Sequence, residues 1–241
     1  MNETRHVKTL IATMILSAVT AAVYAGSSSH AIHPYLAAEV LALAAITSRM
    51  KVKLPGVNGN MSVNLPFLLI AVVNLSAVEA IVVTAVSTAV QCWPKEKSKF
   101  NPQQMAFNLS MMTFASCLAS IIFHSSWLST MAWTSNSVML VLATATLFLG
   151  QTVPVASIVA ISDHKTVGPI WWNVAQLSFP YYVVSAGISS MLAAVSSHLG
   201  WELALAVFPV MYGIHRSYKL YFGRIAESSA PILVRAAGVG A

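Results

Sequence analysis

The chain has 241 residues, of which 57% are hydrophobic and only 8% are charged. Its mean hydropathy of +0.72 lies outside the range of soluble domains. A net charge of +6 would favour nucleic-acid binding in a soluble protein, but here the basic residues flank apolar stretches, which favours anchoring at a lipid bilayer instead. We therefore predict an all-α, polytopic helical membrane protein that contacts lipid and not nucleic acid.

The first two apolar segments cover about residues 8–25 and 35–48. The first has features of a signal peptide, but the charge pattern of the later segments requires it to stay in place, so we interpret it as a retained helix. Residues 26–34 form a polar loop without Lys or Arg, and Arg49, Lys51 and Lys53 end the second segment. Residues 53–60 are rich in turn-forming residues and predict a loop connection.

The apolar stretch over residues 61–93 is too long for one straight span and short for two. Asn74, Leu75 and Ser76 in its middle predict a tight turn, with Ser76 as the N-cap of the next helix. Because both ends of the stretch carry positive charge, an even number of crossings is required. We predict two helices here, the first of them short and a candidate re-entrant segment.

Four further segments are predicted over about residues 104–123, 136–161, 170–195 and 201–221. Pro154, Pro180 and Pro209 lie inside the last three, where each removes a backbone hydrogen bond and predicts a kink. The sequence thus predicts about eight membrane segments, with six or seven as open alternatives. They form one transmembrane domain over residues 1–224, followed by a short flexible tail over residues 225–241.

The positive charges predict a topology. Threading the segments in order places all thirteen Lys and Arg residues on one side of the membrane. By the positive-inside rule that side is the cytoplasm, so both termini are predicted to be cytoplasmic. Tryptophans near the predicted helix ends on both sides match the aromatic belt expected at the two interfaces.

The opposite side carries histidines and glutamates without any Lys or Arg. Imidazole titrates near neutrality and binds divalent metals, so we expect a candidate ligand or ion site there. Solvated loop histidines, and glutamates that favour helix N-termini, explain the same pattern, and this alternative stays open. The identity of any metal or cofactor stays open as well. The candidate residues are His30, His33, Glu39, Glu79, His124, His198 and Glu202.

Polar groups and kinks inside the predicted segments form a second candidate set. Intramembrane amides either join helices by hydrogen bonds or line a functional cavity beside the prolines. The residues singled out are Asn108, Gln151, Gln176, Pro180 and Tyr181, with Asn64 and Asn173 as further amides. The sequence contains no zinc-protease helix motif, phosphate loop or recognisable nucleophile motif, so we expect a protein that is not an enzyme.

Several short motifs resemble one bacterial family. They are Lys-Leu-Pro-Gly at 53–56, Phe-Asn at 107–108, Ser-Phe-Pro-Tyr-Tyr at 178–182 and Arg-Ser-Tyr at 216–218. Over most of residues 50–224 the pattern resembles the N-terminal multi-helix membrane module of bacterial HD-GYP-type signalling proteins. The resemblance implies a sensor or anchor in the bacterial inner membrane with cyclic-dinucleotide output. No HD pair or GGDEF-like stretch follows Arg224, so the module stands alone, belongs to a longer chain or signals through a cytoplasmic partner.

The leading hypothesis from the sequence is a non-enzymatic sensory or anchoring membrane module with a small-molecule or ion site on the outer face. The alternative is a small-molecule transporter, or a substrate-binding membrane subunit, with a midplane cavity near the sixth to eighth segments. A cavity lined by Gln151 and Gln176 would favour transport. A shallow outer pocket lined by His33, Glu39 and His124 would favour sensing, for which a homodimer is a further expectation.

Overall fold

The protein is a bundle of helices, as predicted. The computed structural model describes residues 2–27, 32–53, 60–94, 100–131, 135–199, 207–218 and 220, with side chains except at 2–4, 52–53, 60–61, 129 and 193–199. The helices are α1 (Asn2–Ser27), α2 (Pro34–Ser48), α3 (Leu65–Asn74), α4 (Ala77–Cys92), α5 (Pro102–Phe123), α6 (Ser126–Ser129), α7 (Asn136–Asp163), α8 (Val167–Leu199) and α9 (207–218).

Two elements were not predicted. Between α2 and α3 the chain forms a small antiparallel hairpin of β1 (Lys51–Lys53) and β2 (Asn60–Ser62), in which Lys51 pairs with Ser62. The predicted all-α class is unchanged, because these two strands have only three residues each. The single-turn helix α6 lies in the loop predicted between the fifth and sixth segments, where Ser125 accepts a hydrogen bond from the Leu128 N–H and caps it.

Three helical stretches are long and apolar enough to cross a membrane, namely Arg5–Ser27, Pro102–Leu128 and Asn136–Asp163. The apolar helices α2, α3 and α4 have 15, 10 and 16 residues. At about 1.5 Å per residue they measure roughly 22, 15 and 24 Å, less than a hydrocarbon core of about 30 Å. Among the described residues, three helices rather than eight therefore meet the requirements of a full span.

The predicted turn between the two helices of residues 61–93 is confirmed. Ser76 is the N-cap of α4, and its Oγ accepts a hydrogen bond from the Glu79 N–H at 3.3 Å. The Glu79 carboxylate in turn accepts one from the Ser76 N–H at 3.0 Å, which completes a capping box. The preceding helix α3 is short, as predicted, and its residues 65–72 are all buried. A helix buried on every side is a central element of the bundle.

Contacts between helix ends define one end of the bundle, which we call the basic end. There Arg49 Nη1 donates hydrogen bonds to the carbonyls of Val90 at 3.0 Å and Trp93 at 3.1 Å, and so joins the C-terminal ends of α2 and α4. A cation at a helix C-terminus is favoured by the helix dipole. The start of α1 and the end of α7 are also close to each other, because His6 and His164 line the same depression.

The opposite end, which we call the histidine end, holds the starts of α2 and α4. The backbone N–H of His33 donates to Glu79 Oε1 at 2.7 Å across these two helices. The end of α5 lies close by, because His124 and Ser76 line the same depression. Consecutive helices in this part of the chain therefore run in alternating directions.

Helix α5 packs against α1, α4 and α7, while α3 packs among α2, α4, α5 and α8. A Cβ atom at Gly150 would lie 2.7 Å from Ala115 Cβ, so glycine allows α7 to approach α5 closely. Pro154 and Pro180 lie inside α7 and α8, as predicted, and both helices continue through them. The core of the bundle thus surrounds the short helix α3.

Candidate functional site

A cavity of about 190 Å³ lies between α3, α4, α5, α7 and α8. It is closer to the basic end, because Ser62 at the end of β2 and Gln91 at the end of α4 contribute to it. Its apolar lining comes from Leu65, Leu68, Met111, Met112, Val155 and Val174. Its polar lining comes from Ser62, Asn64, Thr88, Gln91, Asn108, Gln151, Thr152, Ser178, Tyr181 and Tyr182.

The cavity exists because α3 begins inside the bundle. Val63 and Asn64, which precede it, are not helical and are 0% and 4% exposed. Within a membrane such backbone is stable only where protein or a polar cavity surrounds it. The Leu65 N–H donates to Tyr181 Oη at 3.0 Å, and the Asn64 carbonyl accepts from the next two free N–H groups of the helix. Helix α8 therefore provides the hydrogen-bond acceptor for the first N–H group of α3.

Two amide side chains are held in the same way at the cavity wall. Asn64 Oδ1 accepts a hydrogen bond from Ser62 Oγ at 2.7 Å, and Gln151 Oε1 accepts one from Tyr182 Oη at 2.5 Å. In each amide the oxygen is occupied by a hydroxyl, which leaves the NH₂ group. Asn64 Nδ2 and Gln151 Nε2 are both buried without a hydrogen-bond partner.

Thr88 adds a third unpartnered group to the same cavity. The residue is 1% exposed, and its hydroxyl has no hydrogen-bond partner. A buried polar group without a partner costs about 1–3 kcal/mol, so native proteins contain few of them. Three such groups lie around this one cavity, which makes it the candidate functional site.

The predicted cavity residues divide into two groups. Asn108, Gln151 and Tyr181 line the cavity, and Asn108 Nδ2 donates to Cys92 Sγ at 3.4 Å. Gln176 and Pro180 are exposed and do not line it. The reason is helical periodicity: the α8 residues that face the cavity are at 174, 178, 181 and 182, a spacing of one helix face that 176 and 180 do not share.

Several lining residues had not been singled out from the sequence. Hydroxyls such as those of Thr88 and Thr152 occur throughout apolar helices, so residue type alone does not mark them. The spacing of Val174, Ser178, Tyr181 and Tyr182 was the available signal, since it defines one face of a helix. Thr152 has a structural task as well, because it accepts a hydrogen bond from Trp171 Nε1 at 3.1 Å.

Four of the predicted His and Glu candidates lie at the histidine end. Glu79 is 8% exposed, and its carboxylate accepts from the backbone of His33 and Ser76 and from the Ser76 hydroxyl. His33 and Glu39 line one shallow surface depression, whereas His124 lines a different one with Ser76. The side chains of His30, His198 and Glu202 lie outside the described residues.

The described part of the histidine end does not assemble a metal site. Among the residues that the structure describes, no group of three or more His, Cys, Asp or Glu side chains could hold a metal ion. Glu79 serves as a helix cap and as a link between α2 and α4, in agreement with the structural alternative for glutamates near helix N-termini. One oxygen of Glu39, Oε1, is buried without a partner.

Comparisons with known protein families, with curated proteins and with solved structures give no match for this chain.

Proposed function

We propose that the chain is a polytopic membrane protein that binds a small polar molecule in the cavity between α3, α4, α5, α7 and α8. It acts either as a small-molecule transporter or as the substrate-binding membrane subunit of one. The observation that carries the proposal is the set of three buried, unpartnered polar atoms, Asn64 Nδ2, Thr88 Oγ1 and Gln151 Nε2, at one cavity.

The position of the cavity supports this function. Gln151 and Thr152 are close to the middle of α7, one of the three candidate spans, so the cavity reaches the central depth of the bundle. Transporters place their binding sites at this depth and build them from interrupted helices. Here the comparable feature is the buried start of the short helix α3, where Ser62 and Asn64 precede the helix and line the cavity.

The proposed topology has about eight membrane segments, some of which do not cross the whole bilayer. α3 and α4 form a helical hairpin between the two ends of the bundle. The basic end faces the cytoplasm, in accordance with the positive-inside rule, and the membrane is the bacterial inner membrane. Exposed Trp93 and Trp172 near the basic end and exposed Trp127 near the histidine end suit residues at the two interfaces.

The alternative is the non-enzymatic sensory or anchoring module implied by the resemblance to HD-GYP-type signalling proteins. The depression that contains His33 and the partly unsatisfied carboxylate of Glu39 is the observation in its favour. This surface involves one stretch of chain, residues 32–39, and contains no second unpartnered group among the described residues. It therefore supports a ligand site less strongly than the cavity does.

The experiment is to purify the full chain in a mild detergent and to identify retained small molecules by native mass spectrometry. We expect one discrete small-molecule mass on the wild-type protein. Gln151→Met should lose it, because methionine keeps the side-chain length but cannot donate a hydrogen bond. Gln176→Met is the matched control, since Gln176 is exposed on α8 and does not line the cavity.

Retention of the same molecule by wild type and Gln151→Met alike, or no molecule on any of the three proteins, would contradict the proposal. Transport is then separated from sensing by counterflow uptake of the identified compound into proteoliposomes. Uptake that Gln151→Met abolishes supports a transporter, whereas binding without uptake supports the substrate-binding or sensory role.

A further inference from the structure

The chemistry of the cavity also restricts which molecule it accepts, an inference that rests on the proposed function. The two amides present donors. The oxygens of Asn64 and Gln151 each accept a hydrogen bond, from the Ser62 and Tyr182 hydroxyls, whereas both NH₂ groups, each able to donate two hydrogen bonds, have no partner. A molecule that completes these bonds must offer acceptors, such as carbonyl oxygens or unprotonated ring nitrogens.

The cavity carries no countercharge. Among the described residues that line it, none is Asp, Glu, Lys, Arg or His. Moving an ion from water into such a site costs several kcal/mol or more unless an opposite charge compensates it. An anion would find donors but no cationic side chain, and a cation would meet two NH₂ groups that repel it. An uncharged molecule avoids both costs.

The apolar walls of the cavity limit the size and shape of the molecule that it can bind. Met111 and Met112 on α5 and Leu65 and Leu68 on α3 form apolar surfaces beside the donors. A volume of about 190 Å³ lies below the range of drug-sized sites, which is about 300–1,000 Å³. The occupant is therefore compact, with an apolar body and acceptors concentrated on one side.

We propose that the cavity binds a small uncharged molecule that turns carbonyl or ring-nitrogen acceptors toward Asn64 and Gln151 and an apolar body toward Met111 and Met112. Water alone would satisfy the donors but would leave the methionine and leucine walls poorly solvated. A neutral amide or a heterocyclic lactam has the required combination. A sugar, whose hydroxyls cover both faces, does not.

Four probes of nearly the same shape test this inference, namely benzamide, benzoate, benzylammonium and toluene. Each is titrated against the full chain in nanodiscs and followed by ligand-detected NMR, with empty nanodiscs as the blank for partition into lipid. We expect saturable binding of benzamide alone. Asn64→Leu and Gln151→Met should each weaken it about tenfold, the effect of one good hydrogen bond, and Gln176→Met should not.

Thr88→Val separates a binding role from a structural role. The two side chains have the same shape, and the Thr88 hydroxyl has no partner in the protein. Thr88→Val should raise the melting temperature of the empty protein and weaken benzamide binding. If the threonine had a purely structural role, the substitution would lower both the melting temperature and the affinity for benzamide. This variant is expected to fold even if Asn64→Leu or Gln151→Met does not.

Benzoate or benzylammonium binding as tightly as benzamide would overturn the inference, and so would benzamide binding that Asn64→Leu, Gln151→Met and Thr88→Val all leave unchanged. The inference would also be overturned if none of the four probes binds saturably. A charged compound found by native mass spectrometry, lost in Gln151→Met, would refute this inference and leave the proposed function standing. If no compound is retained and no probe binds, both the proposed function and this inference are refuted.

Discussion

Glu79 at the histidine end and the polar residues of the cavity all lie among apolar helices, but their hydrogen bonds are satisfied differently. At the histidine end, both carboxylate oxygens of Glu79 accept hydrogen bonds from within the protein. In the cavity, Asn64, Thr88 and Gln151 each keep one polar atom without a partner. A satisfied polar group stabilises the fold, whereas an unsatisfied one is available to a ligand. Under the proposed function, hydrogen-bond satisfaction separates a helix-capping residue such as Glu79 from a binding residue better than residue type does.

The largest effect is expected at Glu79. Glu79→Ala removes the carboxylate half of the capping box of α4 and leaves the His33 and Ser76 N–H groups without their acceptor, while Ser76 Oγ can still cap the backbone N–H of residue 79. Hydrogen bonds to a charged group contribute about 1.5–3 kcal/mol each, so the loss of these two should lower the free energy of unfolding by about 3 kcal/mol or more. Thermal unfolding in detergent, followed by tryptophan fluorescence, measures it.

Glu39→Ala is the matched control for this substitution, because Glu39 Oε1 is buried without a partner. We expect it to change the melting temperature much less than Glu79→Ala. Equal losses for the two variants would show that carboxylates at the histidine end stabilise the fold regardless of their hydrogen bonds, and the comparison between the two regions would not hold.

A medium effect is expected at Gly150, next to Gln151. The new Cβ of Gly150→Ala would lie 2.7 Å from Ala115 Cβ, so α7 has to move away from α5. Overpacking of this kind costs about 1–3 kcal/mol, and the shift should also displace the Gln151 amide. We expect a lower melting temperature and weaker benzamide binding.

Gly187→Ala makes the same change in α8 at a position where nothing lies within 4 Å of the added Cβ. It should be neutral or stabilising, since alanine favours a helix by up to about 1 kcal/mol over glycine. If Gly150→Ala is equally harmless, the close approach of α5 and α7 does not shape the cavity wall.

Local patterns predicted much of the fold. The apolar stretches predicted helices, and Asn74, Leu75 and Ser76 predicted the turn and the N-cap of α4, because capping depends on residues close in sequence. The bounds of α2, α3 and α4 were close to those predicted, but their apolar character did not make them full spans. Helices of 15, 10 and 16 residues are too short to cross a hydrocarbon core of about 30 Å. The hairpin of β1 and β2 depends on pairing across residues 54–59, and no periodicity in such short strands indicates it.

The candidate site was predictable only in part, for a related reason. Asn108 and Gln151 were singled out as amides inside apolar segments, and Tyr181 was singled out as an aromatic residue next to Pro180. Gln176 belonged to the same class but lies on the exposed side of α8. Whether an amide keeps a free donor depends on a hydroxyl from a neighbouring element, such as Tyr182 for Gln151, and only the three-dimensional structure supplies that information.

The smallest effect on stability, and the most specific one on binding, is expected at Tyr182. Tyr182→Phe keeps the edge-on ring contact with Phe148, at a centroid distance of 5.1 Å, but removes the hydroxyl that holds Gln151 Oε1. We expect a loss of about 1 kcal/mol or less in stability, the net value of one hydrogen bond. Benzamide binding should fall several-fold, because the Gln151 amide is then free to rotate its donors away from the cavity.

The same substitution at the neighbouring Tyr181 should affect stability more strongly. Tyr181→Phe leaves the Leu65 N–H at the buried start of α3 without an acceptor, which costs about 1–3 kcal/mol, so this variant should lose more stability than Tyr182→Phe. Melting temperatures and benzamide titrations of the two variants side by side test the distinction. If Tyr182→Phe binds benzamide like the wild type, the hydroxyl does not orient Gln151. The unpartnered NH₂ group of Gln151 would then result from helix packing and would have no role in binding.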